Sequence, residues 1–285
     1  MISARNVSVD EAFAYCERLA KSHYENFSVA SFLLPREKRR HMYSIYAFCR
    51  YTDDIGDEAK GDRLALLDKW EHDLNLCFDG TPASTSMVAL QQTVKEFGIP
   101  KELFTRIIKA NRMDQGRGRF ETYADVLNYC EYSANPVGRM VLYLFGYSDA
   151  ERQRLSDATC TALQLTNFWQ DVAGDYKRGR IYIPLGDLKR FGYTEQMLSK
   201  GEYNARFREL MAFEVNRASK LFDEGWRLTG MVNGVLRKDL KLFTLGGRAV
   251  LDGIRRIDYD TLHKRPTVSH MRKTLLMAGV MLRLK

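Results

Sequence analysis

The sequence predicts an all-α chain folded as one domain, residues 1–285. Three observations predict this. Apolar residues recur at helical spacing along almost the whole length. Five of the six prolines (Pro35, Pro82, Pro100, Pro184 and Pro266) fall at or outside the ends of those periodic segments, where a missing N–H costs little. Only Arg180-Ile-Tyr-Ile alternates like an extended segment, and it is too short to make a sheet.

The elements follow in order. Ser8 and Glu11 frame a capping box that opens the first helix. Pro35 opens a second that runs to about 58. Further periodic segments span 64–78, 87–97, 101–113, 123–145, 149–176, 205–228, 236–256 and 268–284. Pro136 falls inside the 123–145 segment. There it is expected to remove the helical bond to the carbonyl of Tyr132 and kink the helix.

Composition sets limits on function. The chain is 45% hydrophobic and 28% charged over 285 residues, which suits a sizeable core and excludes a disordered or fibrous chain. Lys and Arg number 44 against 36 Asp and Glu, a formal charge of +8. That balance favours anionic partners: nucleic acid, a phosphorylated substrate or an anionic membrane face. The five cysteines are scattered with no CxxC pair, so neither a disulfide framework nor a zinc site is suggested, and a reducing cytoplasm is expected. The first residues carry no apolar signal core, and the longest apolar stretches fall far below the roughly 18 residues of a spanning helix. The expectation is a cytoplasmic protein, soluble or in peripheral contact with the inner face of a membrane.

Two stripes of polar residues carry the chemistry. Tyr46, Arg50, Asp53 and Asp57 lie at offsets 0, 4, 7 and 11, about three turns of one helix face. Gln164, Asn167, Asp171 and Asp175 lie at offsets 0, 3, 7 and 11, again one face. Each stripe ends in an aspartate pair four residues apart, an arrangement that repels on a bare helix. The neighbouring positions are apolar or aromatic (Ile45, Phe48, Ile55; Leu163, Phe168, Trp169), so both helices should be partly buried. An unpaired buried carboxylate is costly. A divalent cation turns the repulsion into binding, and carboxylate, water and phosphate oxygens are the surroundings Mg²⁺ takes. Two or three Mg²⁺ ions on Asp53, Asp57, Asp171 and Asp175 would hold a diphosphate, with Arg50, Lys177 and Arg180 gripping its oxygens. The Lys177-Arg178-Gly-Arg180 run reads equally well as a cationic helix end satisfying the dipole. Nucleic acid is not expected: the acidic stripes repel a phosphate backbone, and no nucleic-acid signature occurs.

These residues resemble the squalene/phytoene synthase family of trans-head-to-head prenyl transferases. Asp53-Asp-Ile-Gly-Asp57 is similar to the family's first aspartate-rich motif. Asn167-Phe-Trp-Gln-Asp171-Val-Ala-Gly-Asp175, with Arg180-Ile-Tyr182-Ile-Pro184, is similar to its second motif and flap. The resemblance implies an isoprenoid-synthase helical bundle with a central cavity, Mg²⁺ dependence and ionisation of a prenyl diphosphate. It also implies substrate contacts from His23, Phe27, Gln164 and Asn167, and a positioning or assisting role for Tyr46, Tyr129 and Tyr182. His23-Tyr-Glu-Asn-Phe27-Ser-Val-Ala-Ser31 and Ser133-Ala-Asn135-Pro136-Val-Gly138-Arg139 resemble the branch of bacterial hydroxysqualene synthases of hopanoid biosynthesis, although Ser28 stands where the family's usual pattern has proline. For that branch the substrate is presqualene diphosphate and no NADPH is needed. Asn135 would orient the quenching water, and a presqualene diphosphate synthase is an expected partner. Asn135 capping a proline break is the competing reading.

Two alternatives stay open: condensation of two prenyl diphosphates, as in presqualene diphosphate or phytoene-type synthases, and a catalytically silent helical scaffold. His41, His72, His263 and His270 read as core or surface histidines. Phe48 and Trp169 are placed beside the cavity by their motif neighbours. The apolar last segment with its basic fringe reads first as a packed helix and second as a membrane-surface one.

Overall fold

A computed structural model describes residues 7–22, 34–116 and 118–282. The described residues are helical apart from turns and connections, as the sequence predicts. Fifteen helices are seen among them. They gather into two compact units that interleave along the chain.

The first unit holds residues 1–116 and 136–150. Its helices are α1 (Val9–Ser22), α2 (Arg36–Asp57), α3 (Arg63–Asp79), α4 (Thr85–Phe97), α5 (Lys101–Asp114) and nearly all of α7 (Asn135–Leu144). The capping box at α1 forms: Ser8 N–H donates to Glu11 Oε2 at 2.8 Å, and Glu11 N–H donates to Ser8 Oγ at 3.3 Å. Asp62 caps α3, accepting from Ala65 N–H at 3.0 Å. α4 ends at Gly98, whose φ of 62° is a left-handed conformation that glycine adopts without steric cost.

α2 is the hub of this unit. Ala12, Phe13 and Cys16 of α1 pack on Tyr43 and Ala47 of α2 and on Ala89 of α4. One turn further, Phe48 stacks on Trp70 of α3 at 5.6 Å and meets Phe104 of α5 edge-on at 5.1 Å. Trp70 is fully buried and its indole N–H donates to Thr52 Oγ1 at 2.9 Å. Phe48 is therefore core, not cavity lining. His41 is a core histidine as expected: its Nδ1 lies 2.9 Å from Thr93 Oγ1, and burial lowers its pKa.

The second unit holds residues 117–135 and 151–285. It comprises α6 (Tyr123–Ser133), α8 (Ala150–Gln170), α9 (Val172–Lys177), α10 (Leu185–Arg190), α11 (Glu195–Ser199), α12 (Ala205–Trp226), α13 (Leu228–Met231), α14 (Gly234–Arg256) and α15 (His270–Leu282). Thr122 and Asp125 form a reciprocal capping box at α6. At Gly247 of α14 a Cβ would overlap the Phe222 ring of α12, so only glycine lets the two helices approach so closely.

Two predicted helices are broken. The 123–145 segment stops at Ala134 and restarts at Asn135, so Pro136 occupies the first turn of α7 rather than a helix interior. A first turn needs no N–H from proline, which is why the break precedes it. The 149–176 segment is interrupted at Asp171, whose φ of −117° and ψ of 27° leave the helical region. The stripe from Gln164 to Asp175 is thus a helix face followed by a bend. The short helices α10 and α11 had no readable periodicity, because five or six residues complete less than two turns.

Candidate active site

The first acidic segment closes α2. Asp53 and Asp57 are exposed to solvent while Ile55 and Gly56 between them are buried. A Cβ on Gly56 would overlap Asn111 Oδ1, so the glycine admits Asn111 from α5. Asn111 Nδ2 donates to Asp53 Oδ1 at 3.2 Å, and Gln115 Nε2 one turn later donates to the Gly56 carbonyl at 3.0 Å. Water reaches Asp53, yet protein crowds it on its other sides. The resulting loss of hydration pushes its carboxyl up to about 6, with Asn111's hydrogen bond opposing and the Asp57 charge adding. The Arg50 guanidinium reaches Asp54 at 2.6 Å and Glu58 at 3.0 Å, four and eight residues on. Tyr46 is buried two turns before Asp53.

The second acidic segment lies at the bend between α8 and α9. Gln164 is half-buried and Asn167 exposed, while Phe168 and Trp169 face inward. Trp169 is fully buried core. Asp175 N–H donates to the Asp171 carbonyl at 2.9 Å, and both side chains lie within reach of one cation. That cation is Arg178, whose Nη2 stands 2.6 Å from Asp175 Oδ1 and 3.4 Å from Asp171 Oδ2. Arg265 reaches Asp171 from the far end of the unit at 3.4 Å. A Cβ at Gly174 would come within 2.5 Å of Asp171 Oδ1, so glycine leaves that carboxylate its room. Burial raises the Asp175 carboxyl and the Arg178 hydrogen bond and charge lower it. Lys177 is exposed.

The extended segment after α9 is pinned by backbone bonds to residues 118–121. Ile181 N–H donates to the Gly118 carbonyl at 2.8 Å, Leu185 N–H to Phe120 at 2.9 Å and Gly186 N–H to Glu121 at 2.9 Å. This sets Tyr182 into an aromatic cluster. Its ring stacks on Phe168 at 3.6 Å, on Phe120 at 5.6 Å, and lies 5.9 Å from Tyr129. Arg180 and Tyr182 line a small enclosed hollow with Phe168, Val172 and Asp175. Asn135, at the α6–α7 break, is buried and its Oδ1 accepts from Thr161 Oγ1 of α8 at 2.9 Å.

Three site residues escaped the sequence reading, Asn111, Arg265 and Phe120, and Arg178 was read only as part of a basic run. Asn111 follows the apolar positions Leu103, Phe104, Ile107 and Ile108 at helical spacing, and an uncharged amide on that buried face was a signal for a polar contact. Nothing local distinguished Arg178 from its basic neighbours. His23 and Phe27 lie outside the described residues, as does the rest of 23–33.

The donors suit a hard cation. Both segments offer only oxygen, each as a pair of carboxylates, and the second already attracts a cation in Arg178. No group of three or more His, Cys, Asp or Glu able to hold a metal occurs among the described residues.

The chain is similar to known proteins over nearly its whole length. The 15-cis-phytoene synthase of Synechocystis sp. is 33% identical, over 97% of this chain and 86% of its own length. The chloroplastic phytoene synthase of Daucus carota is 31% identical over 93% and 69%. Among solved structures, the squalene synthase HpnC of Alicyclobacillus acidocaldarius superposes with a TM-score of 0.86 at 49% identity, covering 88% of this chain and 95% of that one. A dehydrosqualene synthase superposes with a TM-score of 0.87 at 30% identity, covering 97% of each. The profile described as Squalene/phytoene synthase matches residues 20–272, which include both acidic segments and the flap between Arg180 and Pro184, and the chain therefore belongs to that family.

Proposed function

We propose that the protein is an Mg²⁺-dependent hydroxysqualene synthase that converts presqualene diphosphate and water to hydroxysqualene and diphosphate. On this reading 1–285 is one isoprenoid-synthase domain with a central cavity. The observation that carries it is the buried Asn135–Thr161 hydrogen bond at the α6–α7 break. A cavity that quenches its cation with hydride gains nothing from such a polar pair, whereas one that adds water needs a group to orient it. The 49% identity to a squalene synthase HpnC supports the same branch.

Asp53 and Asp57, with Asp171 and Asp175, would hold the metal. Mg²⁺, when bound, offsets the charge of the departing diphosphate. Arg50, Lys177 and Arg180 grip phosphate oxygens, and Arg50 also pairs with Asp54 and Glu58 at the end of the first segment. Arg178 neutralises Asp171 and Asp175 while no metal is present. Gln164 and Asn167 contact the diphosphate from the face of α8, and His23 and Phe27 contact substrate from outside the described residues. Tyr46, Tyr129 and Tyr182 position the leaving group and surround the developing cation with aromatic faces. The cyclopropylcarbinyl cation opens to an allylic one, and a water oriented by Asn135 forms the new C–O bond, releasing its proton to solvent. No NADPH enters this balance. A presqualene diphosphate synthase would supply the substrate.

The decisive experiment offers presqualene diphosphate and Mg²⁺ to the purified chain with and without NADPH, and separately offers farnesyl and geranylgeranyl diphosphates. Hydroxysqualene formed regardless of NADPH is the expected product. Squalene formed only with NADPH overturns the reading. A second reading has its own support, since the Synechocystis relative is named a phytoene synthase. Phytoene from geranylgeranyl diphosphate would establish it instead.

A further inference from the structure

Eight large apolar side chains are exposed among the described residues, and five of them stand on α15: Met271, Leu275, Met277, Met281 and Leu282. Met271, Leu275, Ala278 and Leu282 follow one another at steps of four, three and four, a single stripe along about three turns. Met271, Leu275 and Leu282 are 74%, 65% and 77% exposed. Met277 and Met281 form a second row beside the stripe. α15 is not loose: its other side packs on α14, where Val280 is buried and Arg272 Nη2 reaches Asp252 Oδ2 at 3.4 Å. The helix is thus held with an apolar face turned outward, and a face of this size on a folded protein marks an interaction surface.

Charge identifies the occupant. From Thr261 to Lys285 the sequence carries no Asp or Glu and six Lys or Arg, of which Lys264, Arg265 and Arg272 pair with Asp260, Asp171 and Asp252. Lys273 is exposed and makes no ion pair among the described residues. A second copy of the chain docked through α15 would bring two such cationic segments together. An anionic bilayer answers both features at once, with acyl chains for the stripe and lipid phosphates for the basic fringe. α15 has 13 residues, and no helix among the described residues is long and apolar enough to cross a membrane, so it would lie in the interface plane.

We propose that α15 docks the protein on an anionic lipid surface through Met271, Leu275 and Leu282, with Lys273 at the fringe. The reaction catalysed has no part in this inference. The test is flotation of the full chain with vesicles of phosphatidylcholine, with and without phosphatidylglycerol. Wild type should float with the anionic vesicles, less with the neutral ones, and progressively less as salt is added. The double variant Met271→Ser/Leu275→Ser should lower the partition by about tenfold or more. Lys273→Glu should lower it about fivefold and flatten the salt dependence. All three side chains are exposed, so circular dichroism of the variants should match wild type. Three results overturn the proposal: wild type that stays in solution with anionic vesicles; a double variant that floats like wild type; or a wild-type dimer that the double variant converts to a monomer, which would assign the face to a second copy.

Discussion

The rings of Phe168 and Tyr182 lie 3.6 Å apart and 4° from parallel. Phe168 sits on α8 three residues before Asp171, and Tyr182 sits on the extended segment two residues after Arg180. The stack therefore ties the carboxylate segment to the phosphate-gripping segment. It is flatter and closer than the offset or edge-on pairs that isolated rings favour, so Phe120 and Tyr129 around it must hold it in place. Replacing Tyr182 by Phe keeps the stack and should change stability by about 1 kcal/mol or less. Tyr182→Ala removes a buried ring and should cost ~3–5 kcal/mol in urea unfolding. Equal losses for both variants would show that the hydroxyl, not the ring, matters.

The aspartates are predicted to serve metal rather than fold. Asp53→Asn and Asp171→Asn should each abolish Mg²⁺-dependent turnover while leaving helical circular dichroism intact. Asn at 53 also removes a carboxyl that its surroundings push up to about 6, so the metal-free fold should not weaken. Near-normal rates in both variants would remove the metal assignment.

Arg180→Ala should weaken inhibition by pyrophosphate by ~1.5–3 kcal/mol, the range of a charge-assisted hydrogen bond. Arg178→Ala removes the guanidinium shared by Asp171 and Asp175 and leaves Asp171 with Arg265, so it should instead lower the Mg²⁺ concentration needed for half-maximal rate. Magnesium titrations on the two variants separate the roles.

Glu214 of α12 is wholly buried beside Arg217, which also holds Asp187 of α10 at 2.5 Å. Burial is the main cause that raises its carboxyl from 4.5 to about 8, with the Asp187 charge and hydrogen bond adding and Arg217 opposing. The folded chain binds this proton more tightly than the unfolded one. Its contribution is therefore complete below about 4.5 and is lost as pH rises towards and through about 8. The thermal midpoint of wild type should fall across that window. Glu214→Gln, which keeps the neutral form, should flatten the fall. An unchanged slope would place the titration elsewhere.

Exchanging Asn135 and Pro136 for Ala and Gly removes the acceptor of the buried Thr161 hydroxyl, a cost of ~1–3 kcal/mol in stability. On the proposed mechanism it also removes the group that orients water. Product analysis should then show less alcohol and more elimination product, with substrate consumption less affected. An unchanged ratio of alcohol to hydrocarbon would leave Asn135 a structural cap.

The sequence by itself determined the all-α class, the starts of α1, α2 and α5, and both aspartate pairs with their neighbouring polar residues. Those features are local: a cap, a proline or an i,i+4 pair acts within one or two turns, and periodicity reports which face of a helix is buried. Tertiary structure alone decided what each buried face meets. Asn111 reaches Asp53 across 58 residues, and Arg265 reaches Asp171 from beyond α14. The same holds for the break at Asp171, through which helical periodicity runs with no proline to stop it. The break at Ala134 was legible as a disruption at Pro136, and the structure added where the second helix restarts and that Asn135 there meets Thr161 26 residues away. It holds last for α15, whose apolar pattern predicted a packed helix. One side does pack on α14, and the other is left outward because one neighbour covers only one face.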